Sequence, residues 1–164
     1  MTFNEADTCR KFITPRLLEL GWDDTPHQIA EQYVFTDGRI FVHGNNTKRG
    51  RQKKADYLLR YKPTLPMAIV EAKANYKHPS EGLEQAKDYA AILGVKFAYS
   101  TNGIGIVEFD FITGVQREVD NFPSPEELWS RLTAAEQITD KQIEPLSYPF
   151  NAQLARPRYG FVQK

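Results

Sequence analysis

The sequence lacks the features of secreted and membrane proteins. Cys9 is its one cysteine, so no internal disulfide can form, and a lone thiol suits a reducing cytoplasm. No apolar run approaches the roughly 18 residues that a membrane-spanning helix needs. The first twenty residues carry several charges where a secretory signal would be apolar. We therefore expect a cytoplasmic protein without a membrane partner.

The sequence also lacks an excess of charge of either sign. Lysine and arginine number 21, and aspartate and glutamate also number 21, so the formal net charge is zero. Hydrophobic residues make up 41% of the 164 residues, which is enough for one globular domain, and we expect Trp22 and Trp129 in its core. A role in binding nucleic acid would require the positive charge to be concentrated locally.

Apolar periodicity and turn residues predict an α/β fold, with a central mixed β-sheet flanked by helices. The first helix contains Pro15, which predicts a kink or two short helices. Asp37-Gly38 lies between two apolar runs and predicts a hairpin, and the polar residues 44–54 predict a loop. The predicted helices are 4–20, 79–93 and 125–135, and the predicted strands are 32–36, 39–43, 55–61, 67–73, 95–100, 104–111 and 115–119.

Two consecutive predicted strands carry acidic and basic residues at their ends. Asp56 lies at the start of strand 55–61, and Glu71 and Lys73 lie at the end of strand 67–73. Residues two apart on a strand point to the same face, so Glu71 and Lys73 share one. The residues before Glu71 are apolar without alternation, as in a strand that is buried on both faces. A carboxylate in such a place needs compensation, and a cation would provide it.

Carboxylate oxygens suit Mg²⁺, which Mn²⁺ can replace, better than Zn²⁺. Asp56 and Glu71 would bind the metal together with the backbone carbonyl of Ala72. The metal would activate a water and stabilise charge on a phosphate, and Lys73 would orient that water and neutralise the phosphate. The site requires a hairpin register that puts Asp56 on the face of Glu71, because a slip of one residue reverses the face. The alternative is an exposed Glu71–Lys73 pair, with Asp56 capping a turn.

Residues on either side of this pattern are suited to contact nucleic acid. Gln85 and Tyr89 are four apart on a predicted helix and therefore share a face. Basic residues are concentrated just before Asp56, and phosphate neutralisation dominates nucleic-acid affinity. The alternatives are an ordinary polar helix face and a solvated loop. The basic residues are Lys48, Arg49, Arg51, Lys53 and Lys54.

Together these residues resemble the PD-(D/E)xK nucleases and, within them, the amino-terminal domain of type I restriction enzyme R subunits. The match extends over about residues 4–135. The resemblance implies a restriction-endonuclease-like core, in which Asp56 and Glu71 are metal ligands and Lys73 is the catalytic lysine. The segments that carry it are 35–40, 55–57, 65–73, 85–90, 97–103 and 122–129.

The resemblance also implies roles for residues on two helices. Gln85 and Tyr89 correspond to the family's Gln-x-x-x-Tyr motif, which is associated with DNA contact and nuclease activity. The family usually carries a glutamate on its first helix, near the site. The matching position here is Asp7, which is one methylene shorter, with Glu5 close by. These two acids are therefore candidates for an accessory role.

For the whole chain, the resemblance implies a type I site-specific deoxyribonuclease of the prokaryotic cytoplasm. Its domain would be a Mg²⁺-dependent endonuclease that hydrolyses double-stranded DNA without sequence specificity of its own, in a complex with methylation and specificity subunits. Residues 1–138 would form the nuclease domain, and residues 139–164 a tail toward a helicase-like motor. ATP would act only through that motor, because this sequence has no Gly-x-x-x-x-Gly-Lys-[Ser/Thr] phosphate loop.

Two other functions are compatible with the same residues. The chain would be a DNA-binding or docking module if it kept the nuclease fold without turnover. It would be a structure-specific nuclease, such as a junction resolvase, if it preferred branched DNA to linear duplexes. Intact Asp56, Glu71 and Lys73 count against the first of these alternatives.

Overall fold

The computed structural model of the chain describes residues 1–37, 40–43, 46–49 and 51–143. The helices are α1 (Glu5–Thr8), α2 (Thr14–Glu19), α3 (Leu83–Leu93) and α4 (Pro125–Ile143). The strands are β1 (Gln28–Thr36), β2 (Ile40–His43), β3 (Asn46–Arg49), β4 (Gln52–Lys62), β5 (Leu65–Ala72), β6 (Phe97–Thr101), β7 (Ile106–Asp110) and β8 (Val115–Val119). Six of these strands form one sheet, in the order β1-β4-β5-β6-β7-β8, and β2 and β3 form a separate pair.

The six-stranded sheet is mixed, as the sequence predicts. Strands β5 and β6 are parallel, whereas the other neighbours in this sheet are antiparallel. A parallel pair needs a crossover connection, and α3 provides it between β5 and β6. Gly94 ends α3 in the left-handed conformation, with φ 72°, which glycine adopts without steric cost. The predicted α/β fold with a central mixed sheet is confirmed.

The hairpin predicted around Asp37-Gly38 is wrong. Strand β1 pairs with β4, and β2 pairs with β3, while Gly38 itself lies outside the described residues. Phe35 packs into a core cluster with Ala55 of β4, so burial against a distant strand outweighs the local turn signal. The loop predicted over 44–54 is also wrong, since its described residues belong mainly to β3 and the start of β4.

The first helix is interrupted, as Pro15 predicts, but the irregular turn precedes the proline. A π-helical turn over Cys9–Ile13 separates α1 from α2, and Thr14 N–H donates to the carbonyl of Cys9, five residues back. Pro15 lies in the first turn of α2, where its missing N–H costs nothing. The Tyr57 hydroxyl of β4 donates to the same Cys9 carbonyl at 3.3 Å. It also shares a 2.8 Å hydrogen bond with Thr14 Oγ1, so β4 supports the turn.

The main core cluster lies where β4, β5 and α3 meet. It includes Leu58, Ile69, Ala86 and Ala90, which are each at most 2% exposed. The apolar run at 67–70 in β5 is buried throughout, which confirms the prediction of a strand covered on both faces. Glu71 and Ala72, the last two residues of β5, are buried as well.

The described chain divides into two compact units, and the first of them is Met1–Pro125. Within it Trp22 is fully buried and donates its indole N–H to the Pro123 carbonyl at 2.9 Å. Helix α4 continues to Ile143, beyond its predicted end at 135. Trp129 on α4 is 36% exposed, so its predicted place in the core is wrong.

None of the helices in the described part of the chain is both long and apolar enough to cross a membrane. The predicted division of the chain at residue 138 stays a prediction. Most of the predicted tail, from 144 to 164, lies outside the described residues.

Candidate active site

The β4–β5 hairpin brings the two predicted carboxylates together. Tyr57 is opposite Val70, so Asp56 and Glu71 lie on the other face of the same pair of strands. Asp56 N–H donates to Glu71 Oε2 at 3.0 Å, and Ala72 N–H donates to Asp56 Oδ2 at 2.8 Å. The register that the site requires is therefore present, and each carboxylate accepts a backbone N–H of the opposite strand.

Glu71 is an unusual carboxylate because it is only 4% exposed. Its Oε1 accepts a hydrogen bond of 3.0 Å from Gln85 Nε2 on α3. Burial, reinforced by the charge of Asp56, raises the pKa of Glu71 from 4.5 to about 8, although the Asp56 N–H and Lys73 act in the opposite direction. Because a second negative charge is strongly disfavoured at this site, a cation beside Glu71 is favoured.

Lys73 lies just beyond the end of β5, and its backbone N–H donates to the Thr101 carbonyl of β6 at 2.8 Å. Its ammonium nitrogen is 3.8 Å from Glu5 Oε2 on α1, and the side chains of Lys73 and Glu5 are 26% and 55% exposed. An ion pair this open to solvent contributes little to stability, so the ammonium remains available to a ligand.

Of the two acids on the first helix, Glu5 lies beside the candidate site. Asp7 instead forms an ion pair with Arg10 at 3.3 Å, and its backbone N–H donates to Asn4 Oδ1 at the start of α1. The resemblance implies that Asp7 matches the family's first-helix acid. The geometry gives Glu5 the position next to Lys73, and an accessory role for either acid stays a prediction.

Gly82 and Ser100 belong to the site, although the sequence analysis did not single them out. Gly82 N–H donates to Ser100 Oγ at 2.9 Å. A Cβ at position 82 would lie 3.0 Å from Ser100 Oγ, 3.2 Å from Lys73 Cε and 3.3 Å from Glu71 Cβ. The start of α3 thus approaches β5 closely enough for Gln85 to reach Glu71. The structural helix begins at Leu83, later than the helix predicted over 79–93, and a glycine in the first turn of that predicted helix was the available signal, because glycine permits close backbone approach.

Tyr89 lies on the site-facing side of α3 with Gln85, but it packs against an aromatic ring, whereas Gln85 hydrogen-bonds to Glu71. Its ring packs edge-to-face on Phe35, with centroids 5.0 Å apart. Partial burial and the nearby charges of Glu71 and Asp56 raise the pKa of Tyr89, so its hydroxyl stays protonated and can donate a hydrogen bond. The predicted contact of Gln85 and Tyr89 with DNA stays a prediction.

The predicted basic residues lie mainly on strands rather than in a loop. Lys53 and Lys54 belong to β4, and Arg51 directly precedes that strand; Arg51 and Lys54 are exposed. Lys48 and Arg49 belong to β3, and their side chains lie outside the described part of the structure. Lys54 and Asp56 are therefore on one strand, two residues apart, and the predicted DNA-binding role of all five stays a prediction.

A cleft of about 510 Å³ opens beside Asp56, between the first helix and β1. Burial raises the pKa of the Cys9 thiol in its wall to about 11, so this cysteine is protonated and unsuited to act as a nucleophile. The lining residues are Glu5, Ala6, Cys9, Arg10, Thr14, Glu31, Gln32 and Asp56. The cleft gives a ligand access to the Asp56 side of the carboxylate pair.

The donors present fit a hard cation rather than zinc. Among the described residues no group of three His, Cys, Asp or Glu side chains is placed to hold a metal ion. Asp56 and Glu71 would therefore need the Ala72 carbonyl or water as further ligands, which is usual for Mg²⁺. In a strand the N–H and C=O of one residue point to the same side. Because the Ala72 N–H points toward Asp56, the Ala72 carbonyl points to that side as well.

The fold and the carboxylate pair define an α/β protein with a restriction-endonuclease-like core. No family model matches the chain. It is 35% identical, over 168 aligned positions and 97% of its length, to the type I restriction enzyme EcoAI endonuclease subunit of Escherichia coli. A solved fragment described as an HsdR subunit of a type I restriction enzyme from Vibrio vulnificus YJ016 is 51% identical, with a TM-score of 0.75 over 93% of this chain.

The chain is therefore similar, over nearly its whole length, to part of two proteins that are named as type I restriction enzyme subunits, which confirms the predicted resemblance. It spans 20% of the Escherichia coli subunit and 30% of the Vibrio vulnificus chain. The activity, substrate and partners of those longer proteins are consequently a matter for proposal.

Proposed function

We propose that this chain is the nuclease domain of a type I restriction R subunit, which hydrolyses DNA phosphodiester bonds with Mg²⁺ and without sequence choice of its own. The observation that supports this most directly is the pairing of Asp56 and Glu71 across the β4–β5 hairpin, with Lys73 directly after the end of β5. The name of the Escherichia coli relative, an endonuclease subunit, agrees with this proposal.

The proposed chemistry assigns one task to each residue. Asp56, Glu71 and the Ala72 carbonyl would hold Mg²⁺ or Mn²⁺, which when bound lowers the pKa of water and stabilises charge on phosphate. Lys73 would donate hydrogen bonds to the phosphate and orient the attacking water, because its ammonium is only loosely paired with Glu5. Gln85 would fix the direction of the Glu71 carboxylate through their 3.0 Å hydrogen bond.

Binding of the DNA backbone would come from residues around the carboxylate pair. Arg51, Lys53 and Lys54 would neutralise phosphates, and the protonated Tyr89 hydroxyl would donate a hydrogen bond to one. Phosphate contacts position a duplex but carry no base information. We therefore propose that sequence choice comes from a specificity subunit, beside methylation subunits, and that ATP is used by a motor region of the R subunit.

Cleavage of supercoiled plasmid tests the proposal. The chain is incubated with Mg²⁺ or Mn²⁺, and the wild type is compared with Asp56→Ala, Glu71→Ala and Lys73→Ala. We expect losses of at least about 100-fold in each variant. Glu118→Ala is the matched control, because Glu118 is an exposed acid on β8 and should leave the rate unchanged. Equal cleavage by the wild type and all three site variants would reject the site.

Binding measurements separate the proposal from its alternatives. Calorimetry should show that the wild type binds Mn²⁺ and that Asp56→Ala does not. DNA binding without any Mn²⁺ binding would instead indicate a catalytically silent module. A strong preference for branched over linear duplexes would indicate a structure-specific nuclease.

A further inference from the structure

The backbone of β1 is distorted at one residue, directly beside the candidate site. Gln32 has φ 50°, in the left-handed region that side chains with a Cβ rarely adopt. It is the one residue other than glycine with a positive φ within the described ranges. The strand pairing continues in the same register on both sides, with Glu31 opposite Tyr57 and Tyr33 opposite Ala55. The distortion is therefore confined to Gln32, at the level of Asp56.

Residues on both sides of Gln32 in β1 pack against one core cluster. Ala30 and Tyr33 both pack against the same core cluster, although they are three residues apart. A regular strand alternates its side chains with a period of two and would send them to opposite faces. The left-handed residue lies between them, and their partners on β4, Leu58 and Ala55, belong to the cluster as well. Strain of this kind persists only where the surroundings enforce it, and it is frequent at functional sites.

Gln32 also contacts one of the two proposed metal ligands. Its Nε2 lies 3.5 Å from Asp56 Oδ1, while Asp56 Oδ2 accepts the Ala72 N–H at 2.8 Å. The Asp56 carboxylate is thus contacted from β5 on one oxygen and from β1 on the other. A hydrogen bond of 3.5 Å between exposed groups adds little to stability, so it does not offset the strain.

We infer that Gln32 is a positioning residue, whose left-handed backbone places its carboxamide against Asp56 Oδ1 and so directs that carboxylate for cation binding. This inference rests on the proposed function. Gln32 and Asp56 line the same cleft, so the carboxamide approaches Asp56 from the side on which a ligand would enter. Partners of a metal-ligating carboxylate typically change metal affinity by 10- to 100-fold when they are removed.

The substitution Gln32→Gly separates positioning from a structural role. Glycine adopts the left-handed conformation without cost, so we expect the Tm of the 164-residue chain to rise in metal-free buffer. The same variant loses the carboxamide, so we expect about tenfold weaker Mn²⁺ binding by calorimetry and by electron paramagnetic resonance. A residue that only supported the fold would lower both quantities together.

Two further variants keep the test decisive. Gln32→Asn tolerates the left-handed conformation but is shorter by one methylene, so it should retain the Tm and lose Mn²⁺ affinity. Gln116→Gly is the matched control, since Gln116 is an exposed residue of the edge strand β8; it should lower the Tm and leave Mn²⁺ affinity unchanged. The outcomes of these measurements are distinguishable. Equal Mn²⁺ affinity in the wild type and in Gln32→Gly overturns the inference. A wild type that binds no Mn²⁺ rejects the proposed function itself, and the inference with it.

Discussion

Replacing Glu71 by glutamine should change how the stability of the metal-free protein depends on pH. Glu71 is 4% exposed, and burial and Asp56 raise its pKa from 4.5 to about 8. The folded state therefore binds a proton at Glu71 that the unfolded state releases at lower pH. The stability associated with that proton is fully present below about pH 4.5 and is lost as the pH rises through about 8.

The expected magnitude follows from the two pKa values. Moving from 4.5 to about 8 corresponds to roughly 5 kcal/mol of unfolding free energy at high pH, as an upper limit, at about 1.4 kcal/mol for each pH unit. Glutamine is neutral at every pH and similar in shape. It still accepts the Asp56 N–H, and Gln85 can turn its amide to match it. The variant should therefore be nearly as stable as the wild type near pH 5 and more stable by several kcal/mol near pH 9.

Urea unfolding in the presence of a chelator, from about pH 5 to about pH 9, measures this difference. Glu118→Gln, at an exposed position on β8, is the control and should show a difference that does not depend on pH. Saturating Mg²⁺ should reduce or reverse the advantage of Glu71→Gln, because a ligand that binds only the folded wild type stabilises it. A difference between Glu71→Gln and the wild type that stays constant over this pH range would refute the reasoning.

Three other substitutions test the surroundings of the site. Gly82→Ala should lower plasmid cleavage about tenfold, with a small loss of Tm. Gly94→Ala is its control: a Cβ added at Gly94 meets no atom within 4 Å, so this variant should lower the Tm alone. Unchanged cleavage by Gly82→Ala would contradict the close approach of α3 to the site. Gln85→Ala should weaken Mn²⁺ binding roughly tenfold in calorimetry, and an unaltered affinity would remove its role in orienting Glu71. Tyr57→Phe should cost about 1 kcal/mol in urea unfolding without changing Mn²⁺ affinity; a weaker affinity would show that the π-helical turn is coupled to the site.

Local patterns predict part of the arrangement at the candidate site, whereas the family resemblance assigned Asp56, Glu71 and Lys73 to one centre. The apolar run before Glu71 indicates a strand that is buried on both faces, and this run is buried in β5. Lys73 was predicted to end the same strand, but β5 ends at Ala72, directly before it. The short connection between β4 and β5 made their pairing predictable, although not its register. Helical spacing predicts that Gln85 and Tyr89 share a face of their helix, and the structure adds the hydrogen bond from Gln85 to Glu71.

Long-range pairing decided what the sequence could not predict. The Asp37-Gly38 turn signal is local, but β1 gains more by pairing with β4, some twenty residues away, because Phe35 is then buried. The left-handed Gln32 has no sequence signature, since it results from that pairing and from core packing on both sides. The choice of Glu5 over Asp7 beside Lys73 depends on where the π-helical turn directs α1, which residue types alone do not specify.

The two carboxylates accept hydrogen bonds from main-chain amides, those of Asp56 and Ala72, and every residue other than proline supplies such a donor. Substitution of the side chains around the two carboxylates therefore cannot remove these main-chain hydrogen bonds. A change in chain length can, because one residue removed from the Pro63-Thr64 turn would shift one strand against the other and send Glu71 to the opposite face. Homologous proteins should therefore tolerate many substitutions around the carboxylate pair, but almost no insertions or deletions in the connection between β4 and β5.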